Sequence, residues 1–513
     1  MKRKRFFICL FTFLLHIQLI FSQVEYFNKV FTQSTASAVY GVVEKDSCYY
    51  TAGTILDSNY NNANRILLSK FSHNGDLLWK KSWGEANKMY VAGHGCPIIL
   101  THDNGFATIG GINDSTQTWH SIIMKHDAIG DTLWTKQFYD TISTSVYEYL
   151  AFYDIKESID NGFIIVGEIK GSQQYDNDIF MIKLDSLGNT KWYNTYGNTY
   201  NIERGFSVIQ TPDTGFLIGG YTYQAGVDYS GDGLIVKTDK FGNEQWQKQL
   251  GGAFKDRIAF VTMSYDSNYL VAYSDAYQEV LPGYPASEIC VLKVSPSKQT
   301  LWSKKFRNQI DHKVMNIYEL DDHNTVIVGY SYISDTINHK SGNEGFIMKL
   351  NEFGDSLWYR EYSYQSYLVN GAHNYFYDLK PTSGGGYIAC GYFKNVYQPF
   401  PQSTWLVKTD SMGCDTPGCI IVGVKDYQLE WEIEKVSVYP NPASDFINIE
   451  INQAINGALY FELIDRYGRQ VKQHTFNNPS STISLARISR GMYFYRVRSK
   501  LQVLAKGKLI VIR

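Results

Sequence analysis

The chain repeats itself seven times, and that period limits its architecture more than any other feature. One module reads Lys-x-Asp-x-x-Gly-x-x-x-Trp. It is clearest as Lys183-Leu-Asp185-Ser-Leu-Gly188-Asn-Thr-Lys-Trp192 and Lys237-Thr-Asp239-Lys-Phe-Gly242-Asn-Glu-Gln-Trp246, with variants ending at Trp79, Trp134, Trp302 and Trp358. Successive tryptophans lie 55, 58, 54, 56 and 56 residues apart, and the module's lysines stand at 70, 125, 183, 237, 293, 349 and 408. The seventh copy, Lys408-Thr-Asp410-Ser-Met-Gly413, has no Trp. Before each copy comes a second module, a turn followed by an apolar strand. Examples are Asp103-Asn-Gly105-Phe-Ala-Thr-Ile-Gly110, Asp160-Asn-Gly162-Phe-Ile-Ile-Val-Gly167 and Ser383-Gly-Gly-Gly386-Tyr-Ile-Ala-Cys-Gly391. Divergent copies occupy Asp46 to Gly53, Asp213 to Gly219, Asp266 to Tyr273 and Asp322 to Gly329. Asp-Asn-Gly supplies the positive φ of a tight hairpin, and the branched and aromatic residues after it favour an extended strand.

One unit therefore holds about four strands; between Trp192 and Trp246 they are expected at 206–210, 215–219, 233–237 and 244–250. Four short strands per unit of about 55 residues match a propeller blade. A solenoid is the rival, but its units are usually shorter. Glu25-Tyr-Phe-Asn-Lys-Val-Phe31 resembles the strand that elsewhere carries the Trp. The missing last strand is therefore expected from residues 24–32, pairing as the outer strand of the final blade and joining the two ends. The propeller should span 23–414, and its 392 residues divided by seven give 56 per blade. In general form this region resembles secreted bacterial seven-bladed propellers of the kelch-like or WD40-like kind, without the Gly-His…Trp-Asp signature of WD40 blades. The Trp is expected between adjacent sheets, the Asp as a turn cap, and the Lys stem over exposed apolar surface.

The first 22 residues read as a secretory signal peptide. Lys2-Arg3-Lys4-Arg5 precedes an apolar stretch from Phe6 to Phe21, interrupted by His16 and Gln18 and too short for a membrane span of about 20 residues. Cleavage before Gln23 would leave 491 residues and a charge of 44 minus 50, or -6. No later run of about 18 apolar residues predicts a transmembrane anchor. The precursor's 48 Lys and Arg against 50 Asp and Glu argue against a polybasic nucleic-acid surface. Seven cysteines stand at 9, 48, 96, 290, 390, 414 and 419, too sparse for a disulfide scaffold. Cys414-Asp-Thr-Pro-Gly-Cys419 could close a small disulfide loop or remain two thiols; the others are expected as core filling.

The period stops after Cys419, and 415–435 reads as a linker. From 436 the pattern alternates, with Ile447, Ile449 and Ile451 facing one way, then Leu459, Phe461 and Leu463. Further strands fit 470–476, 482–485, 492–497 and 508–512, implying a small immunoglobulin-like antiparallel β-sandwich. Residues 436–513 resemble the type A C-terminal sorting domain of the type IX secretion system of Bacteroidota. The resemblance rests on Val438-Tyr439-Pro440-Asn441-Pro442-Ala-Ser-Asp445, Leu463-Ile-Asp465-Arg-Tyr-Gly468-Arg, Ile488-Ser-Arg-Gly491-Met-Tyr493-Phe-Tyr-Arg-Val497 and Lys506-Gly-Lys508-Leu-Ile-Val-Ile-Arg513. It implies Sec export, passage over the outer membrane with the type IX machinery as partner, and release or attachment to a surface glycolipid.

No His-Glu-x-x-His, Gly-x-Ser-x-Gly or phosphate-binding loop occurs, and no catalytic, cofactor-binding or metal residue is assigned. Asp176-Asn-Asp178, Asp228-Tyr-Ser-Gly-Asp232-Gly and Asn343-Glu344 read as turn caps before calcium ligands. His94-Gly-Cys96, His102 and His126 read as loop or packing residues before a catalytic or metal group. Two functions remain: an extracellular binding module for a glycan or protein, or a secreted enzyme cleaving polysaccharide or peptide. Unpaired acids grouped at one mouth of the ring would favour cleavage, and an aromatic groove would favour recognition.

Overall fold

The short β-rich stretches between Gly and Asn turns all become strands. The computed structural model describes residues 26–416 and 436–512, apart from stretches of one to nine residues between strands, and the described residues contain no helix. The segment expected to be the signal peptide lies outside them. The chain divides into two units, Met1–Val424 and Lys425–Arg513.

In the first unit the strands form antiparallel sheets in chain order. The first sheet is Ser37–Lys45, Cys48–Asp57, Ala63–Phe71 and Leu77–Trp83. In the second, the innermost position is split between Met89–Ala92 and Ile98–Leu100; Phe106–Asn113, Trp119–His126 and Thr132–Phe138 follow. The third comprises Leu150–Glu157, Phe163–Lys170, Asn177–Leu184 and Thr190–Tyr196, and the fourth Asn201–Gln210, Phe216–Gln224, Gly231–Thr238 and Glu244–Leu250. A single parallel pair, Asn177 with Ile202, links these two. The fifth is Phe260–Met263, Tyr269–Leu281, Tyr284–Val294 and Thr300–Phe306; the sixth is Asp311–Glu319, Thr325–Asp335, Lys340–Leu350 and Ser356–Tyr362. Last come Ala372–Pro381, Tyr387–Asn395 and Gln402–Thr409, whose fourth strand is Phe27–Phe31 from the start of the described chain.

Each sheet packs on the next. Ile109 and Ile123 meet Phe152 and Phe163; Ile164 and Val166 meet Val208 and Ile218; Leu217 and Ile235 meet Val261 and Val271. The last sheet packs on the first, Ile388 and Leu406 against Val39 and Val42. The fold is thus all-β and propeller-like. Middle strands are covered on both faces and read as unbroken apolar runs, whereas outer strands such as Thr190–Tyr196 alternate between partly covered and exposed residues.

Two local devices explain the repeated residues. Innermost strands carry a β-bulge, at Tyr40, Tyr153, Phe206, Met315 and Tyr377, that pushes a backbone carbonyl toward the second strand. A Cβ on Gly53, Gly167, Gly220, Gly329 or Gly391 would collide with that carbonyl, so the apolar strand of the second module reaches Gly there. Tryptophans of the outer strands lie against the glycine of the next sheet's turn: Trp79 on Gly130, Trp134 on Gly188, Trp192 on Gly242, Trp302 on Gly354, Trp358 on Gly413.

Closure uses the same parts. Phe27 pairs with Lys408 in the register in which Trp192 pairs with Lys183, and its ring lies under 3 Å from a Cβ placed on Gly75 of the first sheet. Two residues after the Trp, Lys81 and Lys304 reach the next sheet's Asp131 and Asp355; Lys29 reaches Asp76 in the same way at 2.8 Å. Phe27-Asn28-Lys29 is therefore the missing seventh Trp-x-Lys, and Asn28 accepts the Trp405 indole N–H at 2.7 Å.

In the second unit Val436–Tyr439, Phe446–Ile451 and Ser480–Ser484 form one sheet, and Gln470–Phe476, Leu459–Asp465, Gly491–Arg498 and Val503–Val511 another. They share one core, with Ile447, Ile449 and Ile451 facing Phe461, Leu463, Val497 and Leu509.

If Phe27 closes the ring, Phe27→Ala should cost about 3 kcal/mol, as for an interior aromatic, although it sits near the chain terminus. Urea unfolding of the full chain measures this, and a loss under about 0.5 kcal/mol, the usual size for a surface site, would show that the strand contributes no closure.

Candidate functional site

Because strands alternate in direction, the hairpin turns between first and second and between third and fourth strands gather on one rim, and all other connections on the opposite rim. The first rim holds the repeated turns. There the module's lysine is buried and paired with the aspartate of the preceding turn: Lys125 with Asp103, Lys183 with Asp160, Lys237 with Asp213, Lys293 with Asp266 and Lys349 with Asp322, at 2.7–3.2 Å. This corrects the expectation that the lysine covers exposed apolar surface: the third strand is buried on both faces, so its ammonium needs a counter-charge. Burial opposes the charged form of Asp103, but bonds from Lys125, Thr101 and the Gly105 amide outweigh it and hold the carboxyl at about 2. The aspartate of Lys-x-Asp caps its turn as expected, Asp185 accepting the Leu187 and Asn189 amides.

The last sheet breaks the rule. Gly384 stands where the aspartate should, and Lys408 Nζ donates instead to the Gly385 and Thr409 carbonyls at 2.7 and 2.8 Å. Burial lowers its pKa to about 8, with Glu44 and Asp410 only partly opposing it.

Along the axis the innermost strands bring together groups far apart in sequence. Asp378, fully buried, accepts the Val42 amide at 3.1 Å, Asn316 Nδ2 at 3.1 Å and the Tyr318 hydroxyl at 2.8 Å, and pairs with Lys380 at 2.9 Å. Cys96 Sγ lies 3.7 Å from its Oδ2, and burial raises that thiol to about 11, so it is not a thiolate at neutral pH. Asp154 repeats the pattern, accepting the Val208 amide at 2.9 Å and pairing with Lys156 at 2.6 Å. Sequence reading passed over this network, but a signal was there: Phe152-Tyr-Asp-Ile-Lys156 recurs as Phe376-Tyr-Asp-Leu-Lys380. Cys96, expected as core filling, belongs to this polar axis.

Toward the second rim, buried and half-buried aromatics form two arrays. In one, Tyr330, Tyr375, Tyr392, Tyr377 and Tyr40 follow one another at centroid spacings of 4.8, 4.7, 5.8 and 5.0 Å. In the other, Tyr153, Phe206, Tyr221 and Tyr223 stack within 23° of parallel at 4.5–5.9 Å. Beside the second lies Glu168, which accepts the Tyr149 hydroxyl at 3.1 Å, Asn177 Nδ2 at 2.7 Å and the Tyr153 hydroxyl, and pairs with Arg204 at 2.5 Å. Glu203 is buried with only Oε1 bonded, to Thr222 at 3.0 Å. Burial raises it to about 7, against the Thr222 bond.

Of the acids weighed as calcium ligands, Asp176 and Asp228 lie outside the described residues. Asp232 accepts Gln249, and Asn343 accepts His373 Nδ1 at 2.9 Å. Among the described residues, metal-ligand spacing occurs at Asp275, Glu288 and Cys290, where Lys305 already sits 2.6 and 2.7 Å from the two carboxylates. His94 is outside the described residues. His102 pairs with Glu157 at 2.9 Å; His126 is buried against Thr108 at 2.9 Å, and burial with Lys125 nearby lowers it to about 4. Among the described residues, His102 and His126 share no bonding partner. Cys414 is disulfide-bonded, its expected partner Cys419 lying outside the described residues, while Cys48, Cys96, Cys290 and Cys390 are free.

Residues 437–512 match the family described as the secretion system C-terminal sorting domain. That segment is a type IX sorting domain. It marks the chain for export, with secretion or attachment at the cell surface, and implies contact with the secretion machinery. No described helix is long and apolar enough to cross a membrane. No curated protein matches the chain. Solved structures similar to it include the polysaccharide lyase PL25 ulvan lyase (8% identity, TM-score 0.48, covering 76% of this chain and 96% of that one). The polysaccharide lyase Uly1 is another (9%, 0.44, 76% and 92%), as is the β-propeller domain of the trilobed protease from Pyrococcus furiosus (8%, 0.40, 76% and 100%).

Gly384→Asp should restore the missing clamp, since a Cβ there meets only His73 at an ordinary 3.6 Å. Wild-type Lys408 has a folded pKa of about 8, below its unfolded value of about 10.4, so the folded state binds fewer protons between them and stability should rise with pH over that window. In the variant the ammonium gains its carboxylate, stability at pH 7 should increase by about 1 kcal/mol, and the rise above pH 8 should flatten. An unchanged slope in urea unfolding at pH 8 to 10 would refute the clamp's role.

Proposed function

We propose that this is a non-enzymatic extracellular binding protein of Bacteroidota. On this reading residues 1–22 are a removed signal peptide, 23–414 a seven-bladed β-propeller, 415–435 a linker and 436–513 an immunoglobulin-like sorting sandwich. The propeller binds a glycan at the end of its axis toward the second rim. The observation that carries this is the pair of aromatic arrays on that side of the innermost strands. Half-buried tyrosines offer rigid, flat, amphipathic faces with few rotamers to freeze, which suits the C–H faces of sugar rings. The neighbouring acids Glu168, Asp154 and Asp378 already accept several bonds each, which favours holding a ligand over proton transfer.

Cleavage of polysaccharide or peptide has one observation on its side, the buried Glu203 with its raised pKa and an oxygen without a hydrogen bond.

A glycan and peptide array probed with the mature chain, with product analysis of the same mixtures, separates the two. Saturable glycan binding without turnover is expected. Tyr221→Ala and Tyr392→Ala should each weaken it about tenfold, the loss of about 1.4 kcal/mol, while Phe241→Ala on the turn rim, exposed at its tip, should leave it unchanged. Product release abolished by Glu203→Gln would establish the enzyme reading instead.

A further inference from the structure

The lysine clamps of the turn rim and the ion pairs of the axis are oriented oppositely. In the clamps the cation is inside and the acid outside: Lys237 is 1% exposed and Asp213 51%, and the four other clamps follow suit. Along the axis and toward the second rim the order reverses. Arg204 is 32% exposed over a Glu168 at 0%, Lys380 21% over an Asp378 at 0%, and Lys305 50% over a Glu288 at 1%. Lys156 over Asp154 and Arg307 over Glu288 do the same. The first sheet is the exception, with Arg65 lying deeper than Asp57.

Each such pair is neutral as a unit, but a ligand arriving from solvent meets the cation first and the acid only through it. Asp378 and Asp154 are held inside by backbone amides and Glu168 by tyrosine hydroxyls, so these acids cannot swing outward to compete. Burial works against the Lys380 ammonium, yet Asp378 beside it keeps its pKa above the ordinary lysine value. Arg204 also lies 5.8 Å over the Tyr221 ring, placing a guanidinium and an aromatic face side by side. A planar cation next to a stacking platform can take a carboxylate or sulfate substituent while the ring packs on the sugar that carries it.

We infer that the ligand of this mouth is an anionic polysaccharide, its carboxylate or sulfate groups met by Arg204 beside Tyr221 and by Lys313 over Tyr330 at 5.5 Å. This rests on the glycan-binding reading above and specifies its chemistry.

The test measures binding of the mature chain to polygalacturonate and its fully methyl-esterified form, which share a backbone and differ in charge, and to dextran sulfate and dextran. Polygalacturonate or dextran sulfate should bind at least about tenfold tighter than its uncharged counterpart, and should lose about tenfold between about 50 and 500 mM salt as screening shortens the reach of the exposed cations. Whichever of the two binds identifies carboxylate or sulfate as the group recognised. Lys313→Gln should weaken only the charged member; Tyr221→Ala should weaken both. Arg204→Lys, which keeps a counter-charge over Glu168, guards against a fold defect in Arg204→Gln, and should recover part of the binding that Arg204→Gln loses. Equal binding of charged and esterified forms would overturn this inference and leave the glycan reading standing. Poly-glutamate binding as tightly as the polysaccharides, or no glycan binding at all, would overturn the glycan reading itself.

Discussion

A row of sheets that each lean on the next has a free face at either end unless the last finds the first. Here that meeting depends on one short strand, Phe27–Phe31, laid along Gln402–Thr409. It supplies hydrogen bonds to the otherwise open edge of the last sheet. It also brings Phe27 and Lys29 onto the first sheet's turn, contacts that every other outer strand makes from within its own unit. The polar axis depends on it as well. Asp378 belongs to the last sheet, the Val42 amide it accepts to the first and Cys96 to the second, so an opened ring would strand a buried carboxylate without its amide.

The opposite orientation of the ion pairs follows from where each residue starts. A clamp lysine grows from a third strand covered on both faces, and its long stem runs out to a turn that carries the aspartate. At the axis the short aspartate sits next to the bulge, where its oxygens reach the next sheet's amide, and a lysine two residues on folds back over it from a more open position. Side-chain length and strand position thus fix which charge is outside. The clamps of the repeated turns present carboxylates, and the axial pairs present ammonium and guanidinium groups. The chain's near-neutral formal charge of -2 conceals this separation.

Much of the scaffold was legible because the scaffold is what repeats. Trp, Lys-x-Asp and Asp-Asn-Gly recur at fixed offsets, and the expected strands at 206–210, 215–219, 233–237 and 244–250 lie within or one residue from Asn201–Gln210, Phe216–Gln224, Gly231–Thr238 and Glu244–Leu250. The absent seventh Trp pointed to the strand that closes the ring. What was not legible lies on the innermost strands, where bulges shift the register by one and hide the two-residue alternation that sequence reading relies on. The lysine's role was misjudged for a different reason. Its partner sits 22 to 27 residues earlier, in the other module, and no local pattern ties the two together.

Repetition also tells where function is able to sit. The residue after the glycine opposite each bulge occupies the same place in five sheets, paired with the residue whose carbonyl approaches that glycine. Yet it is Thr54, Glu168, Tyr221, Tyr330 and Tyr392 in turn, facing Ala38, Ala151, Arg204, Lys313 and Tyr375. Nothing in the packing demands that variety, because Thr54 opposite Ala38 satisfies the same backbone. Where geometry is equivalent and chemistry is not, the difference is free to serve a ligand. The tyrosines, Arg204 and Lys313 all stand at such positions, with Lys313 over Tyr330 at 5.5 Å as Arg204 is over Tyr221. The turn rim, where one clamp recurs in five sheets, has no comparable freedom. A ligand that needs several unlike groups at once therefore has to approach from the other end of the axis.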